Sequence, residues 1–205
     1  MQPVKDSWNI TVVGSWNVAI LGPGWLAEHV FADNELTIEF PTNPGYSPRY
    51  SAGNVTVVAS PGRIVVIPKV LTARTLNNAF KAANRLLEKL PHTPVSAIGV
   101  NFGFIQEAAD DDLLSHVPEV DGPLFADAGF EITTRRLAWQ LLVDDLRLNL
   151  TVSEGSGNIA FDFNFDQPIV NCGGGMSFLQ PGLSRFRDAA TKVLAGVYGL
   201  EWEEQ

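Results

Sequence analysis

A single cysteine among 205 residues, Cys172, has no partner for an intramolecular disulfide, so nothing calls for an oxidising compartment. Charged residues are also sparse, at 18 % of the chain against about 25 % in an average globular protein. Basic runs are absent: the longest is the pair Arg135-Arg136, and the formal net charge is −9 with a pI near 4.7. A surface of that sign repels phosphate, which argues against nucleic acid as a partner. No long hydrophobic run occurs, because the apolar stretch from Ile10 to Leu21 is broken by Gly14, Ser15 and Asn17. Neither a membrane span nor a signal peptide is expected, and by elimination the chain is placed in the cytoplasm. With three histidines and one cysteine at unrelated spacings, no metal site and no cofactor are expected. Gly-x-Ser-x-Gly, His-Glu-x-x-His and Cys-x-x-Cys are all missing, so no familiar catalytic motif is present.

What is present is apolar material for a core, 45 % of residues, in a length that suits one domain over 1–205. Eighteen glycines and thirteen prolines punctuate it into short segments, as strands and turns require. Trp8, Ile10 and Val12 alternate with Asn9, Thr11 and Val13, and after Gly14 the alternation resumes with Trp16, Val18 and Ile20, so 8–21 reads as two short strands or one bulged strand. Leu36 to Phe40 is a further strand, and the proline-rich loop 41–48 is a rim or lid candidate. Asn54 to Ser60 and Arg63 to Pro68 form a Val/Ile-rich hairpin around Pro61-Gly62. Leu76, Ala79, Phe80, Ala83, Leu86, Leu87 and Leu90 mark one face of a helix over 73–90 that Pro91 ends. In the strand opened by Pro94, Ile98, Val100, Phe102 and Phe104 share one face; Ala97, Gly99, Asn101 and Gly103 share the other, a small face that implies a close neighbour.

An acidic linker, 107–129, with room for a short helix around Leu113 and Leu114, joins this half to a second one. There, Phe130 to Val143 is a strand, Leu146 to Ser153 and Asn158 to Asp166 form a hairpin, and Leu183 to Val197 is a helix with Gly199 at its stop. The expected fold is α+β: a mostly antiparallel sheet backed by two long amphipathic helices, built from strand-hairpin-helix halves at about 35–104 and 130–198. Only in the order of its elements is this similar to duplicated hairpin-plus-helix folds of the TATA-binding-protein type, which transfers no function.

Two places outside strand 97–103 carry candidate site residues. In the second hairpin, pairing Glu154 with Gly157 sets Leu150 against Phe161, Leu148 against Phe163 and Leu146 against Phe165. The opposite face then gathers Arg147, Asn149, Asp162, Asn164 and Asp166. Asp162 and Asp166 lie about 13 Å apart on one strand, too far to share a metal ion or to act as a close acid/base pair. Asn171-Cys172-Gly173-Gly174-Gly175 reads as a glycine-rich connector whose N–H groups suit an anion, although it lacks the residues of a phosphate loop or a dinucleotide fingerprint. Cys172 as a nucleophile needs a base, and only His29, His92 and His116 exist.

Two functional expectations follow. The first is a non-catalytic protein-interaction or assembly module whose free sheet face or edge strands pair with another copy or another protein. It rests on five tryptophans and twelve phenylalanines in a chain with few charges and no catalytic constellation. The second is a small-molecule-binding protein or enzyme with a pocket between the 41–48 loop, strand 97–103 and the Gly173–Gly175 connector, using Asn101, Cys172, Gly173, Gly174, Arg147 and Asp162.

Overall fold

A computed structural model describes residues 1–4, 6–32, 35–43, 45–117 and 121–202. Ten strands make one antiparallel sheet: β1 (Gln2–Pro3), β2 (Asn9–Gly14), β3 (Thr37–Glu39), β4 (Arg49–Ala52), β5 (Val55–Ser60), β6 (Arg63–Pro68), β7 (Val95–Gln106), β8 (Arg135–Val143), β9 (Leu146–Gly155) and β10 (Asn158–Pro168). The order across it is β3-β4-β5-β6-β2-β7-β10-β9-β8, with β1 also on β7. The helices are α1 (Pro23–Leu26), which runs into a π-helical turn over Ala27–Phe31, then α2 (Ala73–Lys89), α3 (Asp111–Ser115), α4 (Gly122–Asp127), α5 (Cys172–Leu179) and α6 (Leu183–Tyr198). The α+β class with one antiparallel sheet backed by two long helices is as the periodicity implied.

The reason is the strict alternation of the strands. Ile10, Val12, Ile64, Val66, Ile98, Val100, Phe102, Phe104, Phe161, Phe163, Phe165, Leu148 and Leu150 are all buried on one face, and a sheet with one apolar face must be covered. The cover is α2, with Ala79, Ala83, Leu86 and Leu87 turned inward, and α6, with Phe186, Ala190 and Leu194. Thr72 caps α2 by accepting from the Thr75 N–H at 3.3 Å. Gly199, at φ 64, ends α6 in the left-handed conformation. Trp8 and Trp16 are both buried core residues, their indole N–H groups donating to the carbonyls of Gly103 (3.0 Å) and Val12 (3.2 Å).

Four local expectations are corrected. Only Asn9–Gly14 of 8–21 is strand, with an irregularity between Val13 and Gly14. The segment 130–143 becomes strand only at Arg135. The acidic linker holds, beyond the short helix expected around Leu113 and Leu114, a second one, α4; the expected helix is α3, capped by Asp110, whose side chain accepts from the Leu113 N–H at 2.9 Å, and residues 118–120 of that linker lie outside the described residues.

The fourth correction concerns the glycine-rich connector, which is helix α5. Gly175 serves packing: a Cβ there would sit 3.0 Å from Leu87 Cδ1 and 3.3 Å from Ile169 Cδ1, so only a residue without a side chain lets α5 lie this close to α2.

Candidate functional site

Across β2, β7, β10, β9 and β8 the face of the sheet opposite the helices is lined by exposed and half-buried side chains, and the register decides what meets on it. The β9–β10 turn is Ser156-Gly157, with φ of 53° and 75°, and Gly155 faces Asn158. The expected register is therefore wrong by two residues: Phe161 faces Val152, Phe163 faces Leu150 and Phe165 faces Leu148. A shift of two keeps every apolar side chain on the core face, so alternation alone could not distinguish the two registers. Two consecutive positive-φ residues match the strand twist of a tight hairpin, and that fixed it.

The true register aligns five amides in one row across five strands. Asn9 faces Asn101, Asn101 faces Asn164, Asn164 faces Asn149 and Asn149 faces Gln140. Their side chains bond head to tail: Gln140 Nε2 donates to Asn149 Oδ1 (3.1 Å), Asn149 Nδ2 to Asn164 Oδ1 (3.1 Å), Asn164 Nδ2 to Asn101 Oδ1 (2.6 Å) and Asn101 Nδ2 to Asn9 Oδ1 (2.8 Å). Thr11 Oγ1 also donates to Asn9 Oδ1 at 3.0 Å. Arg147, now directly beside Asp166, ion-pairs with it, and Asn149 also donates to that carboxylate. Each amide thus has its neighbour's dipole aligned with its own, a polarising chain. It runs from the middle of the sheet to strand β8 at the rim.

Of the six residues expected to form a site, three lie on this face. Asn101 is a link of the amide row, Arg147 flanks it in the ion pair, and Asp162 is exposed opposite Gly103 and Thr151. The other three lie under the sheet on the helical side. Cys172 is fully buried at the start of α5, its thiol donating to the Leu90 carbonyl at 3.3 Å. Asn171 Oδ1 accepts from the Gly174 N–H at 2.9 Å, which engages that donor internally. The two groups therefore lie on opposite sides of the sheet. The 41–48 loop instead borders a separate cavity of about 530 Å³ with Phe40, Tyr46, Arg49 and Arg63. His29 packs on Trp25 and His116 on Tyr198.

Burial raises the Cys172 thiol pKa above its ordinary 9.0. The unfolded thiol ionises first as pH rises, so this contribution to stability is complete below pH 9 and is lost as the pH climbs through the raised folded value. Thermal unfolding from pH 8 to 10.5 is expected to show a steeper loss in the natural protein than in Cys172→Ala. Equal slopes would remove Cys172 from the account.

Residues that sequence reasoning missed stand at the β8 edge. β8 has β9 on one side, and among the described residues no backbone hydrogen bond reaches it from the other. Nine residues long, it carries Trp139 (37 % exposed) and Leu142 (75 % exposed). A cavity of about 660 Å³ adjoins its start, lined by Phe125, Phe130, Ile132 and Leu137 among others. The opposite rim, β3, has only three residues, and Glu39 there lies 3.7 Å from Arg49, a short, charged edge of the kind that resists pairing. A signal for β8 was available, since Ala138 and Leu142 put apolar groups on the face that should be polar.

No family model, curated protein or solved structure matches this chain. Among the described residues no helix is long and apolar enough to cross a membrane.

Proposed function

We propose that this chain is a non-catalytic protein-interaction module that associates through the outer edge of β8. The observation that carries the reading is the contrast between the two rims: a short charged edge at β3 and a nine-residue edge with exposed Trp139 and Leu142 at β8. A long, apolar, unpaired edge presents backbone donors and acceptors in a row and is a template for a further strand. The net charge of −9 favours a protein over a nucleic acid as the partner, and a single buried thiol suits a cytoplasmic setting.

The turn Asp144-Asp145 has φ of 47° and 67° and joins Val143 to Leu146 as a facing pair. Such a two-residue turn is closed by a hydrogen-bonded pair, so Val143, Leu141, Trp139 and Leu137 bond to β9, while Leu142, Gln140, Ala138 and Arg136 turn their backbone groups outward. Ala138→Pro therefore deletes an outward N–H and leaves the β9 ladder intact.

Combined with Leu142→Lys, it is expected to leave a folded chain that no longer associates with itself or with another protein, as read by native mass spectrometry against the natural protein. A natural protein that stays a lone monomer in all preparations, or a variant that associates equally well, would overturn the reading.

A further inference from the structure

We infer that the cavity beside the β3–β4 connection is a binding site for a small aromatic monocarboxylate, held by the Arg63 guanidinium and by the rings of Phe40 and Tyr46.

The floor of the cavity is set by sheet register. Glu39 of β3 faces Arg49 of β4, Arg49 faces Val58 of β5, and Val58 faces Val65 of β6. Two residues further along, Ser60 faces Arg63. Alternation puts these side chains on the face away from the helices, because Val57, Ala59, Ile64 and Val66 between and beside them are in the core. Phe40 and Tyr46, from the connection between β3 and β4, wall the same cavity, whose volume is about 530 Å³, within the range of small-molecule sites.

Arg63 supplies the charge. Among the described residues its guanidinium has no hydrogen-bond or ion-pair partner. Arg49, by contrast, is engaged: its Nε lies 3.7 Å from Glu39 Oε2 and its Nη2 3.5 Å from Asp6 Oδ2. The lining therefore holds Glu39 and Arg49 as a pair and Arg63 as one uncompensated positive charge, in a chain whose net charge is −9. An unpaired guanidinium is a planar fork of N–H donors that fits a carboxylate bidentately.

The rings supply the contact area. Phe40 and Tyr46 are more exposed than any other Phe, Tyr or Trp among the described residues, at 73 % and 70 %. Exposed apolar groups gathered at one cavity mark a contact surface, and a planar ring lodged against them removes both surfaces from water. The backbone holds the parts in place. Asn43 accepts from the Gly45 N–H through Oδ1 and from the Tyr46 N–H through its carbonyl, both at 3.2 Å, which turns the chain into Tyr46. The Ser60 hydroxyl donates to the Arg63 carbonyl at 3.0 Å and ties the hairpin end that carries the guanidinium.

Charge also selects among anions. One unmatched guanidinium beside the Glu39 carboxylate balances a single negative charge; a phosphate monoester, at about −1.5 to −2 near neutral pH, would meet Glu39 with charge left over.

Naphthalene-2-carboxylate and its neutral amide, naphthalene-2-carboxamide, test the site on the full chain, read by backbone amide chemical shifts and calorimetry. The carboxylate is expected to bind saturably and to move the signals of Glu39, Phe40, Tyr46, Val58, Arg63 and Val65. The amide should bind about tenfold or more weakly, the scale of a hydrogen bond to a charged group. In Arg63→Gln the two should bind alike, because the group that distinguishes them is gone. Tyr46→Ala should weaken both by a similar factor, since ring contact does not depend on charge. Both residues are exposed, so the spectra of the variants should otherwise superpose on that of the natural protein.

Absence of saturable binding at millimolar probe overturns the assignment, as do shifts confined to residues 122–137 beside the other cavity. A preference for the carboxylate that persists in Arg63→Gln, or tighter binding of 2-naphthyl phosphate, also overturns it. The β8 reading concerns the opposite rim of the sheet and is decided by its own variants, so the two fail separately.

Discussion

Phe165→Ala is expected to cost about 3–5 kcal/mol of folding stability, the range for removing a buried phenylalanine side chain. Phe165 is fully buried on β10, with Phe102 of β7 at 6.2 Å and Phe186 of α6 at 5.6 Å between ring centroids, both edge-on. It is where the central strands and the last helix share contact. Neighbours held by a sheet ladder on one side and a helix on the other close in only partly on the space left behind, so the cavity adds to the lost transfer energy. For a chain of this size the loss corresponds to a fall in Tm of roughly 10 °C. Phe165→Leu, which keeps most of the volume, should cost well under half as much. Urea unfolding with an unchanged slope is the measurement; a midpoint for Phe165→Ala within error of the natural protein would show that this contact does not hold α6 to the sheet.

Gly103→Ala should destabilise by about 2–3 kcal/mol, near the upper end for an added methylene in a packed site. A Cβ there would stand 2.5 Å from Ser7 Oγ and 2.7 Å from Ser7 Cβ, so the segment before β2 must move. That segment is tied to the same residue, because the Gly103 carbonyl accepts from the Val4 N–H at 2.9 Å and from the Trp8 indole at 3.0 Å. Shifting Ser7 therefore pulls Trp8 away from Phe102, Phe104 and Trp202, which it touches at centroid distances of 4.6, 5.2 and 5.1 Å. Tryptophan emission should shift to longer wavelength. Ser7→Gly opens the space and should recover part of the loss, a coupling that a double-mutant cycle measures. If the cost of Gly103→Ala is the same with and without Ser7, the close approach is not its cause.

These two sites differ in how far they were legible. The alternation Ile98, Val100, Phe102, Phe104 and the small opposite face predict both the core side of β7 and a close neighbour beyond it; that the neighbour is Ser7 follows only from how β1 and β2 meet β7. The three glycines of 173–175 were misread for a related reason. Low helix propensity argues for a loop, but Asn171 caps the segment and close packing on Leu87 and Ile169 holds it as α5, a tertiary override of local preference.

Sequence alone determined which residues face the core, where α2 and α6 run, that the class is α+β, and that no familiar catalytic motif is present, because period and punctuation are local properties. Tertiary structure decided the strand order, the two-residue register of β9 on β10 and the helical state of the glycine segment. It also decided the row Asn9, Asn101, Asn164, Asn149, Gln140 and the edge on which it ends. Those five amides are scattered over more than a hundred positions of chain. Only cross-strand pairing, set by turn geometry and by the burial of the opposite face, brings them into one line.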